Sequence, residues 1–339
     1  MKNHKILITG GAGYIGSHTV IKLLELGFSI VILDNFSNST YRIIKKIKEI
    51  TNKNFEIIKG DITDRRILKN IFKKYKIKSV IHFAGLKSVN ESDKFPLSYY
   101  ENNVIGSINL IKEMELANIK NLVFSSSATV YGNQNNHLYK EDAPLSPINT
   151  YGRTKLIIEE ILRSICNIDP EWRAIIFRYF NPIGAHESGL IGDNPINCPN
   201  NLLPFICQVA IGKRKKLFVF GDDYPTSDGT GKRDYIHVDD LANAHALSIN
   251  YFEKTNNSFS VFNLGTGKSF SVLEVIKAFE EATSIKIPYK IVKRRDGDVC
   301  ESLADPSKAK LELGWEAKFD LKRMCIDSWR WQSINPKGI

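Results

Sequence analysis

Cysteine is scarce in this chain: five occur in 339 residues, at Cys166, Cys198, Cys207, Cys300 and Cys325, with no Cys-x-x-Cys spacing. That excludes a disulfide framework and the common zinc sites, and it fits a reducing cytoplasm with no metal centre. Long apolar runs are missing too. No stretch approaches the ~20 residues that a membrane span needs, and the opening Met-Lys-Asn-His-Lys-Ile-Leu-Ile-Thr-Gly turns to glycine too soon for a signal peptide. Neither a membrane nor secretion is expected. Acidic residues are outnumbered, 37 against 47 basic ones, leaving a net charge of +10. The lysines are scattered, as at Lys69, Lys73, Lys74, Lys76 and Lys78, and Lys213-Arg214-Lys215-Lys216 is the one tight run. No nucleic-acid module accompanies them, so nucleic acid is not an expected partner, whereas a doubly anionic substrate is. There is also no internal repeat and no low-complexity segment.

What is present is an alternation of short apolar, β-branched runs with helical spacing. Strands are expected at Lys5–Thr9, Ser29–Leu33, Phe55–Lys59, Ser79–Phe83, Asn121–Ser125 and Ala174–Phe177, with helices such as Ile15–Leu26 and Arg65–Tyr75 between them. This rhythm predicts an α/β fold, a doubly wound parallel Rossmann sheet. After Asn181-Pro182 the texture changes: residues 184–235 are rich in Gly, Pro, Asn and Asp. A smaller, loop-rich α/β substrate lobe is expected there. The expected division is 1–180 for dinucleotide binding, with 236–268 packing back on it, and 181–339 for substrate.

The first strand runs into Gly10-Gly11-Ala12-Gly13-Tyr14-Ile15-Gly16, which opens a helix. Gly10 allows the tight turn, Gly13 the approach of a pyrophosphate, and Gly16 close helix–strand packing. The helix N-terminus offers N–H groups and the positive end of its dipole to phosphates. Asp34 ends the second strand, where a carboxylate binds a ribose 2′-hydroxyl and repels a 2′-phosphate, so NAD is expected rather than NADP. Asp61-Ile62 follows the third strand and can hold the adenine edge. Phe83-Ala84-Gly85-Leu86-Lys87 follows the fourth and can flank the nicotinamide. Tyr151 and Lys155 lie four apart at the start of a helical segment and share one face. A phenol has a pKa near ~10, and a nearby ammonium lowers it. The pair can therefore supply a base for a hydroxyl whose carbon loses hydride.

Together these residues resemble the extended short-chain dehydrogenase/reductase family. The matching stretches are Thr9–Gly16, Asp61-Ile62, His82–Lys87, Ser125–Gly132 and Tyr151–Lys155, in that order. Arg178-Tyr179-Phe180-Asn181-Pro182, Pro199-Asn200-Asn201-Leu202 and 231–238 are similar to the members that invert C4 of UDP-hexoses through a 4-keto sugar. The resemblance implies that Tyr14 and Ile15 line the NAD pyrophosphate. It assigns Asp34, Asn35, Phe36, Ser37, Asn38 and Ser39 to the adenosine ribose, and Asp61, Ile62, Phe83, Lys87, Asn102 and Phe180 to the rest of the cofactor. It makes Ser127, Tyr151 and Lys155 catalytic. It assigns Asn181, Asn201, Leu202, Arg233, Tyr235 and Arg295 to the UDP sugar, with Asp298 at the uridine ribose; Lys87, Ser127 and Tyr151 also face the sugar. It further implies a homodimer paired through the helices Tyr99–Leu116 and Thr154–Ile165.

Related 4,6-dehydratases carry an Asp-Glu after the active-site hydroxyl residue. Here Ala128 and Thr129 stand there, so elimination of water is not expected. Ser302 falls where some relatives carry a bulky tyrosine against the sugar's 2-substituent. A small side chain there leaves room for an N-acetyl group. The alternatives are another UDP-sugar epimerase, such as one acting on UDP-glucuronate, and a silent NAD-sensing protein on the same fold.

Overall fold

A computed structural model of the chain describes residues 4–134, 137–195, 199, 201–295 and 298–339. Of the residues named above, Cys198 and Asn200 lie outside the described ones. The expected strands form one seven-stranded parallel sheet. Its order is Phe259–Leu264, Arg173–Tyr179, Asn121–Ser127, Ile77–His82, Lys5–Thr9, Ser29–Asp34 and Glu56–Lys59. Alternate residues of each strand feed two cores, one on each face: Ile6, Ile8, Ile30 and Ile32 enter one, Leu7, Val31 and Leu33 the other. Chain order reverses direction between Lys5–Thr9 and Ile77–His82. A crevice opens there at the carboxyl ends of the strands, the usual place for a ligand in such a sheet.

The seventh strand comes from late in the chain and pairs in register with Arg173–Tyr179. The helix before it, Val238–Lys254, packs on the first helix, Tyr14–Glu25. Residues after 181 build a second, mixed sheet. Lys232–His237 pairs with Asn181–Ile183, Ser269–Ser271 and Glu301–Ala304, and the last of these pairs with Leu138–Tyr139. Buried Asp234 fastens it by accepting from the backbone N–H groups of Thr266 at 2.8 Å, Gly267 at 3.0 Å and Ala304 at 3.2 Å.

Segment 184–235 is more regular than its composition predicts. It holds the helix Leu202–Ala210 and the strand Leu217–Phe220. Their apolar side chains, including Leu203, Ile206 and Val219, enter a third core with Phe279 and Met324. Tertiary burial overrides the loop signal. The helix expected across Tyr99–Leu116 contains a widened π-type turn at Tyr100–Ile105. Such turns shift the phase of a helix and cluster at functional sites.

Candidate active site

The phosphate loop is built as its glycines require. Gly10 has φ +71°, and a Cβ there would lie 2.7 Å from the Ala84 nitrogen. At Gly16 a Cβ would lie 2.3 Å from the Gly10 carbonyl oxygen. A Cβ at Gly13 would meet only the Gly10 oxygen, at 3.2 Å. Gly13 caps the helix Tyr14–Glu25 without a side-chain acceptor, and no acid stands in the first turn. The helix end therefore presents free N–H groups and an uncompensated positive dipole, a cradle that fits a pyrophosphate.

Asp34 lies beside that cradle, 8% exposed. Its carboxylate accepts from the backbone N–H of Ala12 and of Phe36, both at 2.9 Å, and from the Ser39 hydroxyl at 3.3 Å. Burial pushes its pKa up while these donors pull it down. Phe36 takes a left-handed φ of 59° to close this turn. Asn35 donates at 2.6 Å to Asp61, and Ser37 donates its N–H to Asn35. Asp61 also accepts from Thr63, which, with Asn35, holds its carboxyl below the ordinary range despite partial burial. The acid-bearing ends of the second and third strands are thus tied into one rim. Ile62 is packed beneath it against Gly106.

The 83–87 segment leaves the fourth strand across the crevice. Phe83 rests on His245, ring centroids 4.7 Å apart, and Gly85 and Lys87 are exposed. Asn102 is half-buried, and its neighbour Asn103 does the holding. Asn103 Oδ1 accepts from Leu86 N–H at 2.7 Å, while its amide donates to the Leu86 carbonyl at 3.0 Å and to Thr154 Oγ1 at 3.1 Å. Both asparagines fall in the π-type turn. A regular helix drawn from the sequence gives their phase wrongly, and this is why Asn103 was not singled out.

Ser127 ends the fifth strand and Tyr151 opens the helix Thr150–Ile168. Asn149 caps that helix through the Gly152 N–H at 2.8 Å. Two side chains from the helix Val89–Lys94 take its next free donors: Asp93 accepts from Thr150 N–H at 2.9 Å and Ser92 from Tyr151 N–H at 3.0 Å. Ser127 Oγ accepts from the Thr129 N–H at 3.2 Å and hydroxyl at 3.0 Å, and its hydroxyl lies close enough to the Tyr151 phenol to favour the phenolate. Lys155 is buried, donates to the Ser125 carbonyl at 2.7 Å, and lies 5.7 Å from the centre of the Tyr151 ring.

The expected lowering of the Tyr151 pKa needs correction for this state. Burial dominates and pushes the phenol up to about 12, opposed only by the Ser127 hydroxyl. Burial likewise lowers Lys155 to about 8, with Glu159 pulling upward. The ammonium is directed at the Ser125 carbonyl and stands 4.9 Å from the Phe124 ring, so its charge is not delivered to the phenol oxygen.

The remaining expected site residues lie on or beside the second sheet. Phe180 is buried, facing Tyr139 at 6.3 Å between centroids, and Asn181 starts the strand that pairs with Tyr235. Asn201 donates to Asp193 at 3.3 Å, just before the helix that Leu202 opens. Leu202 and buried Tyr235 belong to the third core. Arg233 forms an ion pair with Asp298, while Arg295 stacks on Phe220 at 4.0 Å. Ser302 is directly in register with Arg233 on the paired strand. Strands of the second sheet therefore bring Arg233, Asp298 and Ser302 together, although 65 residues separate Arg233 from Asp298. Among the described residues no group of three or more metal-ligating side chains occurs, and no helix is long and apolar enough to cross a membrane.

Comparison with known proteins gives a consistent result. Residues 7–328 match the family model described as GDP-mannose 4,6 dehydratase. The chain is 53% identical over 334 residues to UDP-glucose 4-epimerase of Dictyostelium discoideum, covering 98% of this chain and 97% of that one. UDP-glucose 4-epimerase from Stenotrophomonas maltophila, solved with bound NAD and formylated UDP-arabinopyranose, superposes with a TM-score of 0.96 at 46% identity, covering 99% of each chain. The Bifidobacterium longum enzyme in complex with NAD+ and UDP gives a TM-score of 0.95 at 46% identity, covering 99% of this chain and 100% of that one.

Proposed function

We propose that this chain, which belongs to the UDP-glucose 4-epimerase family of extended short-chain dehydrogenases/reductases, interconverts UDP-glucose and UDP-galactose with NAD as cofactor. The observation that carries this reading is the convergence of Ser127, Tyr151 and Lys155 at the carboxyl end of the sheet, with no acid at the two positions that follow Ser127. Ala128 and Thr129 occupy a short 3-10 turn, and the Thr129 hydroxyl is spent on Ser127. Although the matching family model carries a dehydratase's description, nothing at these positions can protonate a leaving hydroxyl.

The cradle, Asp34 and the Asn35–Asp61 rim fit NAD: free N–H groups for the pyrophosphate and a carboxylate that repels a 2′-phosphate. NAD, when bound, accepts hydride from the sugar C4 and returns it, and its oxidised ring carries a positive charge. Tyr151 takes the proton of the 4-hydroxyl, Ser127 hydrogen-bonds that oxygen and relays its proton, and Lys155 orients the cofactor's ribose. Arg233 and Arg295 grip the diphosphate and Asn181 supports the nucleotide while the keto sugar turns its other face. Arg233 must then exchange Asp298 for phosphate, which frees that carboxylate for the uridine ribose. Segment 1–180 with 236–268 serves the cofactor and the remainder the sugar nucleotide. The protein works in the cytoplasm as a homodimer paired through Tyr99–Leu116 and Thr154–Ile165.

Small Ser302, beside Arg233, supports a wider substrate range that includes UDP-N-acetylglucosamine and UDP-N-acetylgalactosamine. Purified protein is incubated with UDP-galactose and, separately, UDP-N-acetylgalactosamine, without added NAD, and the products are resolved. Both C4 epimers should form from each substrate. No turnover of UDP-galactose would sink the epimerase reading. Turnover of it alone would sink the N-acetyl extension.

A further inference from the structure

Three consecutive serines end the fifth strand, and each meets a different turn of the helix that crosses it. The Ser127 hydroxyl lies near the Tyr151 phenol, and the Ser125 carbonyl accepts from Lys155 at 2.7 Å. The Ser126 hydroxyl points to the opposite face and donates to Glu159 Oε1 at 2.5 Å. Tyr151, Lys155 and Glu159 are spaced by four, so they form one ridge along the helix. The first two of these contacts are accounted for by the reaction. The third is not.

Glu159 is itself held hard. It is 2% exposed, and its second oxygen accepts from Arg178 Nη2 at 2.7 Å, with Arg178 Nε reaching Oε1 at 3.2 Å. Arg178 is 1% exposed and lies on the sixth strand, which pairs with the fifth, Ser126 opposite Arg178 in register. Its remaining nitrogen donates to the Tyr131 hydroxyl and the Glu141 carbonyl, both at 3.0 Å. Tyr131 donates in turn to Asn263 on the seventh strand at 2.7 Å. One carboxylate therefore ties the helix to the fifth strand directly, and to the sixth and seventh through Arg178. A purely structural stitch needs no such convergence, because burying two charges is seldom more stabilising than well-packed apolar groups. What the arrangement does supply is fixed register, the property a three-residue catalytic constellation on two elements needs.

We propose that Glu159, clamped by Arg178 and Ser126, is a positioning residue for the epimerase reaction: it locks the helix carrying Tyr151 and Lys155 in register against the strand carrying Ser127. The inference rests on the epimerase reading above. Loss of the clamp lets the ridge slide by a fraction of a turn, which separates the phenol from the serine hydroxyl. The sugar-nucleotide grip on Arg233, Arg295 and Asn181 is on other elements and is unaffected.

Glu159→Gln alone strands a buried guanidinium and endangers the fold, so two gentler variants carry the test. Ser126→Ala removes one anchor and leaves no charge uncompensated. Glu159→Gln with Arg178→Met removes the ion pair as a unit. Each is purified and checked for bound NAD and for thermal unfolding, and kcat and KM for UDP-galactose are measured. Folded, NAD-loaded variants should lose roughly 10- to 100-fold in kcat, with KM within about threefold of the parent. Both variants keeping parental kcat would overturn the proposal, as would a KM rise that accounts for the whole loss. A parent protein that does not turn over UDP-galactose would instead point to failure of the epimerase reading, since NAD content and unfolding are read independently.

Discussion

Tyr151 makes the sharpest demand on a single residue. A phenol pushed up to about 12 by burial is a poor base at neutral pH. A cation beside it would favour the phenolate, and the oxidised nicotinamide of bound NAD would bring one. The Tyr151 pKa should therefore fall on loading with NAD, visible as a phenolate band in ultraviolet titration that is present in loaded protein and absent from Tyr151→Phe. That variant should keep NAD yet lose about a thousandfold in kcat, as expected for removal of a general base; near-parental turnover would end the proposed mechanism. Three other residues set the behaviour in acid. Burial lowers His18 and His82 to about 3 and His245 to about 4. Their folded values lie below the unfolded 6.5, so the unfolded chain takes the extra protons and stability falls as pH drops from about 6.5 towards 3. At pH 5 the loss is about 2 kcal/mol for each of them. Asp234, raised to about 6, acts the other way between 3.8 and 6, as do Asp34, Glu141, Asp239 and Asp240, whose carboxyls burial also raises. The difference in urea midpoint between pH 7 and pH 5 should be smaller in His82→Gln than in the parent.

Among the elements, the phosphate loop is the most legible in sequence and the least tolerant of change. Gly10, Gly13 and Gly16 can be read from spacing because each answers a steric demand local to one strand–turn–helix unit. Gly16→Ala forces a methyl to 2.3 Å from the Gly10 oxygen, so the helix must withdraw from the strand. The variant should purify without NAD, as read from the absorbance ratio at 260 and 280 nm. The first-sheet strands were legible for a related reason: apart from the short edge strand Glu56–Lys59, they are largely apolar runs buried on both faces. The second sheet was not. Lys232–His237 carries Lys, Arg and Asp in its first half, and its burial comes from partners more than 30 residues away, such as Ser269–Ser271 and Glu301–Ala304. The Arg233–Asp298–Ser302 cluster is a product of that pairing, so its residues could be named only through the family resemblance. Asn103, Glu159 and Arg178 escaped for another reason. A π-type turn hides the phase of the first, and the other two look like ordinary charges until the strand opposite them is known.

Across the whole molecule, one hydrogen bond joins the helix of the glycine loop to the chain just beyond Asn181. The Tyr14 hydroxyl, one residue beyond Gly13, donates at 2.7 Å to the Gly184 carbonyl. Gly184 has φ +96° and no room for a Cβ, which would lie 2.7 Å from the His237 ring. His237 terminates the strand that carries Arg233. A displacement at either end would reach the other through the Tyr14 side chain and the tightly packed backbone at Gly184. Tyr14→Phe cuts this link without altering the pyrophosphate cradle. It should leave kcat largely intact while weakening the dependence of NAD retention on UDP, measured as the rate of NAD loss on dilution with and without UDP. In the parent, reciprocity requires that whatever UDP adds to the hold on NAD, NAD adds to the hold on UDP. If UDP does strengthen the hold on NAD through this bond, the supply of sugar nucleotide would set how long each molecule keeps its cofactor, and starvation for substrate would become a route to an empty enzyme.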